Sequence, residues 1–259
     1  MAKPADGGPI RYELEEPVAW LTIDRPEARN ALNRSARAGL RAGFERFAAE
    51  EAAKVLVLTG AGDEAFCAGG DLKEMAEERL GVPPKDFIPY LNRTITIDKP
   101  VIAAVNGIAF GGGFLLAQMC DLCVAAETAR FGITEARWGR GAPWAAPLPW
   151  LIPPRVALEI VLTAEPIGAQ RAYELGLVNR VVPLASLRAE TARLASTIAS
   201  MAPLSVRAGK RMVYAAAERG WSEALDEADR IWEHVYLSED AQEGPRAFAE
   251  KRAPRWTGR

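Results

Sequence analysis

Apolar positions along the chain fall into short solid runs, set apart by glycine-bearing turns and by stretches with helical spacing. "VAWLTID" (18–24), "KVLVLTG" (54–60), "KPVIAAVNG" (99–107) and "DLCVAAE" (121–127) are β-prone runs of the kind that form strands buried on both faces. "RYELEE" alternates instead, and a turn at Glu16 and Pro17 joins it to the first run, which predicts a hairpin. Between the runs, Leu40, Phe44 and Phe47 recur at helical spacing and predict a helix from Ser35 to Glu50. "GAGDEAFCAGGDL" reads as a glycine-rich loop followed by a charged helix. "DFIPYLNRTITID" (86–98) and "GGGFLLAQMC" (111–120) also read as helices. Repeated strand, loop and helix units predict an α/β architecture with parallel crossovers.

After Phe131 the texture changes to the Pro-, Gly- and Trp-rich "WGRGAPWAAPLPWLIPP" and then to helical patterns. These predict helices at Arg155–Thr163, Gly168–Leu175, Leu187–Ser200, Leu204–Arg219, Ser222–Tyr236 and Ala241–Lys251. Ser222 suits an N-cap, and Leu225, Ala228, Trp232 and Tyr236 form one stripe that packs on the core or on another subunit. The division expected is a strand-rich core over residues 1–195 and a helical C-terminal portion over 196–259. Met1 to Pro9 reads as a loose tail.

Composition narrows the function classes. The 259 residues, 49% hydrophobic and 25% charged with a formal net charge of −2, match ordinary soluble globular proteins rather than disordered ones. Thirty-two basic against thirty-four acidic residues give no field for nucleic acid, although a local basic rim suits a phosphorylated ligand. The N-terminus has no apolar signal core and no window approaches the roughly 18 apolar residues of a membrane span, so a cytoplasmic location is expected. "CDLC" has the spacing of a redox or zinc half-site, yet the one histidine, His234, is remote; Cys67, Cys120 and Cys123 read as small buried side chains, with no metal expected.

The candidate chemistry lies in two glycine loops. A backbone N–H stabilises charge developing on an oxygen only when that oxygen approaches to about 3 Å, and a Cβ in the wrong place blocks the approach. Gly111, Gly112 and Gly113 stand at a predicted helix N-terminus, where unsatisfied amides favour an anion. "AFCAGGDL" offers a second backbone-rich turn after another buried strand, so two donors converging on one carbonyl oxygen are expected. Neither loop has the G-x-G-x-x-G or G-K-[ST] pattern, and no G-x-S-x-G is present, which disfavours nucleotide sites and a Ser-His-Asp hydrolase.

"LTIDRPEARNALN", "VLVLTGAGDEAFCAGGDLKEM", "KPVIAAVNGIAFGGGF", "CDLCVAAETARFGITE" and "AYELGLVNRVVP" together resemble the enoyl-CoA hydratase/isomerase, or crotonase, superfamily over nearly the whole chain. The resemblance implies a crotonase-like (ClpP/crotonase) spiral of ββα units with a helical C-terminal trimerisation region, assembled as a trimer or a dimer of trimers. It implies an acyl-CoA thioester substrate and no separate cofactor, coenzyme A being part of the substrate. By position the amides of Ala68 and Gly112 would hold the thioester oxygen. Arg25 and the Ala65–Asp71 loop, with Ala65, Phe66, Gly70 and Asp71, would border the coenzyme A groove together with Leu72 and Gly111; Lys73 is a further candidate. Phe248 and Lys251 would reach it from a neighbouring subunit.

By the same resemblance, two glutamates usually move protons. Here the first position is Leu115 and the second is Glu135 in "FGITEARWG". Glu135 is therefore the expected acid/base, with its pKa raised in a pocket near Trp138 and Trp144. "WGRGAPWAAPLPW" replaces the usual glycine-rich segment and sets Pro143 and Trp144 against the acyl pocket. One carboxylate suits double-bond isomerisation better than hydration, and isomerases of this family similarly keep the second glutamate and often replace the first; some members lacking it still hydrate particular acyl groups, so the resemblance implies isomerisation or hydration of an enoyl-CoA. The alternatives are an acyl-CoA or β-diketone hydrolase on the same fold, or a non-catalytic acyl-CoA- or RNA-binding scaffold.

Overall fold

In a computed structural model that describes residues 8–259, the solid apolar runs become one sheet. β1 (Ile10–Glu15) and β2 (Val18–Ile23) form the antiparallel hairpin; α1 (Arg34–Ala49) then crosses to β3 (Val55–Gly60), parallel to β2. β5 (Val101–Val105), β7 (Leu122–Ala126) and β10 (Arg180–Val182) extend it in the order β1-β2-β3-β5-β7-β10. Continuous apolarity follows from burial on both sides. Alternate side chains such as Leu21, Leu56 and Ala103 face the main core, while Trp20, Val57, Ile102 and Val124 pack towards α7 (Leu187–Ala199).

A second sheet supplies what the sequence pattern hides. β4 (Ala65–Cys67), β6 (Ile108–Phe110) and β8 (Arg130–Gly132) lie parallel, with β9 (Ile167–Gly168) antiparallel at the edge. Each central strand of the first sheet hands the chain to a three-residue strand of the second: β3 to β4, β5 to β6, β7 to β8. Helices α2 (Leu72–Glu77) and α3 (Gly112–Met119) follow β4 and β6, so the chain winds as ββα turns, as expected. β4 sits inside the stretch expected to be a glycine-rich loop, and strands of three residues show no usable alternation.

Two further expectations are corrected. Residues 86–98 hold no helix: Pro89 interrupts the backbone, Asn92 takes a left-handed φ of 62°, Leu91 bridges Ile95, and Thr94 Oγ1 accepts from the Tyr90 N–H at 2.9 Å. The remaining helices are α4 (Leu148–Leu151), α5 (Pro154–Thr163), α6 (Ala169–Glu174), α8 (Pro203–Ala217), α9 (Trp221–Tyr236) and α10 (Glu239–Ala249). In α9 the cap position is Gly220, so Ser222 lies inside the first turn. The buried face is Ile231 and Val235; Leu225 and Tyr236 of the expected stripe are exposed on the single chain, so the core does not cover them, which leaves the subunit-packing side of that expectation standing.

α8 is fastened to the spiral by Asp121, whose carboxylate accepts from Lys210 Nζ, the Tyr214 hydroxyl and the Val101 N–H, each within 2.9 Å. The three cysteines are free and buried, and burial pushes the Cys67 and Cys123 thiols up to about 12. Among the described residues no helix is long and apolar enough to cross a membrane. Of the expected N-terminal tail, residues 1–7 lie outside the described residues.

Candidate active site

The site forms where β4 and β6 run out into their helices. Asn30 and Asn106 hold the approach to β4: their Nδ2 groups donate to the Ala65 carbonyl at 2.7 and 3.1 Å, and also to Ala61 and Gly62 carbonyls. α3 then enters almost against β4, because a Cβ on Gly113 would fall 2.0 Å from the Cys67 carbonyl oxygen. Gly111 makes the turn from β6 into α3 with φ 52°, a conformation that suits glycine.

This packing brings Gly70 and Gly112 together. A Cβ on Gly112 would lie 3.6 Å from the Gly70 nitrogen, and one on Gly69 would lie 3.3 Å from the Gly112 nitrogen. Neighbouring amides are already committed. Ala68 N–H donates to Arg29 O at 3.0 Å, Gly69 N–H to Cys67 Sγ at 3.4 Å, Asp71 N–H to Leu32 O at 3.2 Å and Gly111 N–H to Gly132 O at 2.9 Å. Among the described residues the N–H groups of Gly70 and Gly112 have no acceptor. The expected donor Ala68 is thus corrected to Gly70: the amide of Ala68 is used in tying this turn to the 29–32 segment. Gly112, as first residue of α3, keeps an orphan donor by position.

Both amides open on a cavity of about 1130 Å³. Glu135 begins a one-turn 3₁₀ segment and lays its carboxylate over Gly111, where a Cβ would come 3.2 Å from Oε1. Its Oε2 is buried with no hydrogen-bond partner. Burial pushes the carboxyl above the usual range, against smaller pulls from the nearby backbone and the Trp144 indole. Leu115, only 4% exposed, lies one turn into α3 and lines the same cavity. The other acids lining it are engaged or peripheral: Asp71 pairs with Arg25 at 3.3 Å and caps α2, and Glu27 sits at the rim.

Arg25, Gly70, Asp71, Leu72, Lys73, Gly111, Trp138, Pro143 and Trp144 all line this cavity. Ala65 and Phe66 do not. They are β4 core residues, 2% and 0% exposed, so their expected place on the groove is corrected. Phe248, 87% exposed on α10, and Lys251 beyond it do not line the cavity of their own chain.

Three lining residues lie outside the expected set: Ile88 and Tyr90, because the 86–98 segment reads as a helix, and Met75, on the short helix α2. Met75 Cε and Ile88 Cδ1 lie where Cβ atoms on Gly70 and Gly112 would fall, so these side chains pack against the two glycines. Tyr90 lines the wall. Trp144 is fixed by an edge contact to Phe114, centroids 6.1 Å apart, and by Gln118 Nε2 donating to its carbonyl at 3.2 Å. Arg140 donates from Nη1 to Leu80 O at 2.8 Å and from Nη2 to Gly81 O at 3.4 Å, and its N–H donates to Glu135 O at 3.0 Å.

Two free donors beside a protonatable carboxylate can hold an oxygen as it gains charge while a proton moves at the adjacent carbon. Comparison with known proteins points the same way. The enoyl-CoA hydratase/isomerase family model matches residues 13–259. Carnitinyl-CoA dehydratase of Salmonella typhi is 40% identical over 253 residues, covering 94% of this chain and 96% of that protein. The crystal structure of enoyl-CoA hydratase from Mycobacterium tuberculosis H37Rv superposes with a TM-score of 0.89 at 36% identity, covering 98% of this chain and 100% of the other. A probable enoyl-CoA hydratase/isomerase from Mycobacterium abscessus gives 0.87 at 38% identity, with the same coverage. With its fold, its paired free amides and these matches in agreement, the chain belongs to the enoyl-CoA hydratase/isomerase family.

Proposed function

We propose that the protein moves a proton on an acyl-CoA thioester, with the Gly70 and Gly112 N–H groups holding the thioester oxygen as the enolate forms and Glu135 as the acid/base. The observation that carries this reading is the pair of unpartnered amides next to the raised carboxyl of Glu135. Amides fixed before the reaction need no reorganisation as charge develops, which makes such a hole worth several kcal/mol. Glu135 must reach carbons next to the thioester, so the acyl group lies on its side, towards Trp138 and Trp144. Coenzyme A then leaves past Gly70 towards Arg25, Arg29 and Lys73.

Isomerisation of a 3-enoyl to a 2-enoyl thioester fits this site best. It needs one group to take a proton at C2 and return it at C4, whereas hydration also needs a water to be positioned, and the residue available on α3 is the apolar Leu115. Hydration is the second reading, favoured by the relatives' names, which are those of a dehydratase and of hydratases. The exposed apolar Leu225, Tyr236, Leu237 and Phe248 on and beside α9 and α10 support assembly through the C-terminal helices as a trimer.

The test is incubation with 2-enoyl and 3-enoyl thioesters. A gain of conjugated absorbance reports isomerisation, its loss reports hydration, and thiol release reports hydrolysis. Glu135→Gln is expected to lower turnover by about 10³-fold while leaving thioester binding nearly intact. Binding without turnover in the wild type would leave only a scaffold, and an unchanged rate in the variant would remove Glu135 from the mechanism.

A further inference from the structure

The cations around the cavity differ in a way that bears on the acyl group. On the coenzyme A side, Arg25 is paired with Asp71 at 3.3 Å and Arg29 with Glu64 at 3.8 Å. Lys73, Lys85 and Arg93 line the cavity without a carboxylate partner, but all three are exposed. Arg140 is different. It is half-buried, lines the cavity on the Glu135 side, and among the described residues has no carboxylate partner.

Its position is fixed from two directions. Its own N–H is tied to the Glu135 carbonyl, and its guanidinium is tied to the Leu80 and Gly81 carbonyls across the cavity. Those contacts use two of the five N–H donors and neutralise no charge. The charge is not spent on Glu135 either. The raised carboxyl of Glu135 is governed by burial, the local backbone and Trp144, and neighbouring Arg137 turns outward to Glu165 at 2.7 Å. A half-buried cation held rigidly with free donors and no counter-ion is arranged to receive a planar anion, and guanidinium matches a carboxylate in a two-bond fork.

Resting on the proposed thioester chemistry, which puts the acyl group on this side, we infer that Arg140 selects acyl groups that end in a carboxylate. The substrate class is the monothioester of coenzyme A with an unsaturated dicarboxylic acid. The distal carboxylate would take the free donors of Arg140, while Trp138, Pro143 and Trp144 pack along the hydrocarbon between the two ends.

The test measures binding, so it does not depend on turnover. Saturated coenzyme A thioesters of four- to eight-carbon dicarboxylic acids are titrated against methyl-ended thioesters of equal chain length at fixed ionic strength. At the best-fitting length the wild type is expected to hold the carboxylated ligand at least about tenfold more tightly, the scale of one charge-assisted contact. Arg140→Met is expected to erase that preference while leaving the methyl-ended series unchanged, and Arg140→Lys to keep part of it. Equal or tighter binding of methyl-ended ligands by the wild type would overturn the inference, even if neither variant folded. So would a preference that survives in Arg140→Met, or an equal loss for both series, which would make Arg140 only a tie between two loops. If no enoyl thioester turns over, the catalytic reading falls, while these titrations still decide the role of Arg140.

Discussion

The turn after β4 and the turn after β6 start alike, each leaving a three-residue strand through glycines into a helix, and they end differently. The helix after β4 is six residues long with no buried residue, and its turn is held by hydrogen bonds to the 29–32 segment. The helix after β6 is buried along most of its length, and its entry is fixed by close packing on β4. The first turn is thus a strap whose amides at Ala68, Gly69 and Asp71 are in use while that of Gly70 is free among the described residues; the second is a wedge that leaves a donor free because a helix begins there. A free amide pair can come from two unrelated constraints, and only their meeting makes a site.

Substitutions along the wedge should break this contrast in graded steps. Gly113→Ala puts a methyl 2.0 Å from a backbone carbonyl that no side-chain rotation can relieve, so no cooperative unfolding transition is expected, at a cost above about 3 kcal/mol. A wild-type denaturation curve would refute the wedge. Gly112→Ala meets only the movable end of Ile88 at 2.6 Å, so the protein should fold, but its methyl crowds the amide pair. Here kcat is expected to fall about 10²- to 10³-fold with little change in thermal midpoint.

Leu115→Glu places a carboxylate on the nearly buried wall of the cavity and is expected to cost about 2–3 kcal/mol in urea denaturation, while giving the site a second acid and raising the ratio of hydration to isomerisation. The smallest effect concerns pH. Because burial raises the folded-state pKa of Glu135, this group stabilises the fold below its unfolded pKa of about 4.3, and that stability is lost as pH rises through the folded value. Glu135→Gln has no such loss, so its thermal midpoint relative to wild type should be higher near pH 7 than near pH 4.

β1, β2, β3, β5, β7 and most helices were legible because their burial writes itself into four or more consecutive residues; β10, three half-buried residues, was not. The second sheet was not, since Ala65–Cys67 and Ile108–Phe110 are too short to show a period. For the site, the glycines announced a close backbone approach, and the lone Glu135 was legible from its motif. The identity of the second donor was not. Ala68 and Gly70 look equally available in "AFCAGGDL", and the choice between them is made by a carbonyl at Arg29, some forty positions earlier. The role of Arg140 was not legible either, because the carbonyls that orient it belong to a segment without regular structure.

Among the described residues no side chain accepts a proton from Oε2 of Glu135, so no protein group stands ready to relay one away. During double-bond migration, a deuteron taken from C2 should therefore be delivered to C4 of the same molecule, on the same face, ahead of exchange with bulk solvent. The isotopic fate of a single hydrogen thus reports how well one carboxylate is sealed.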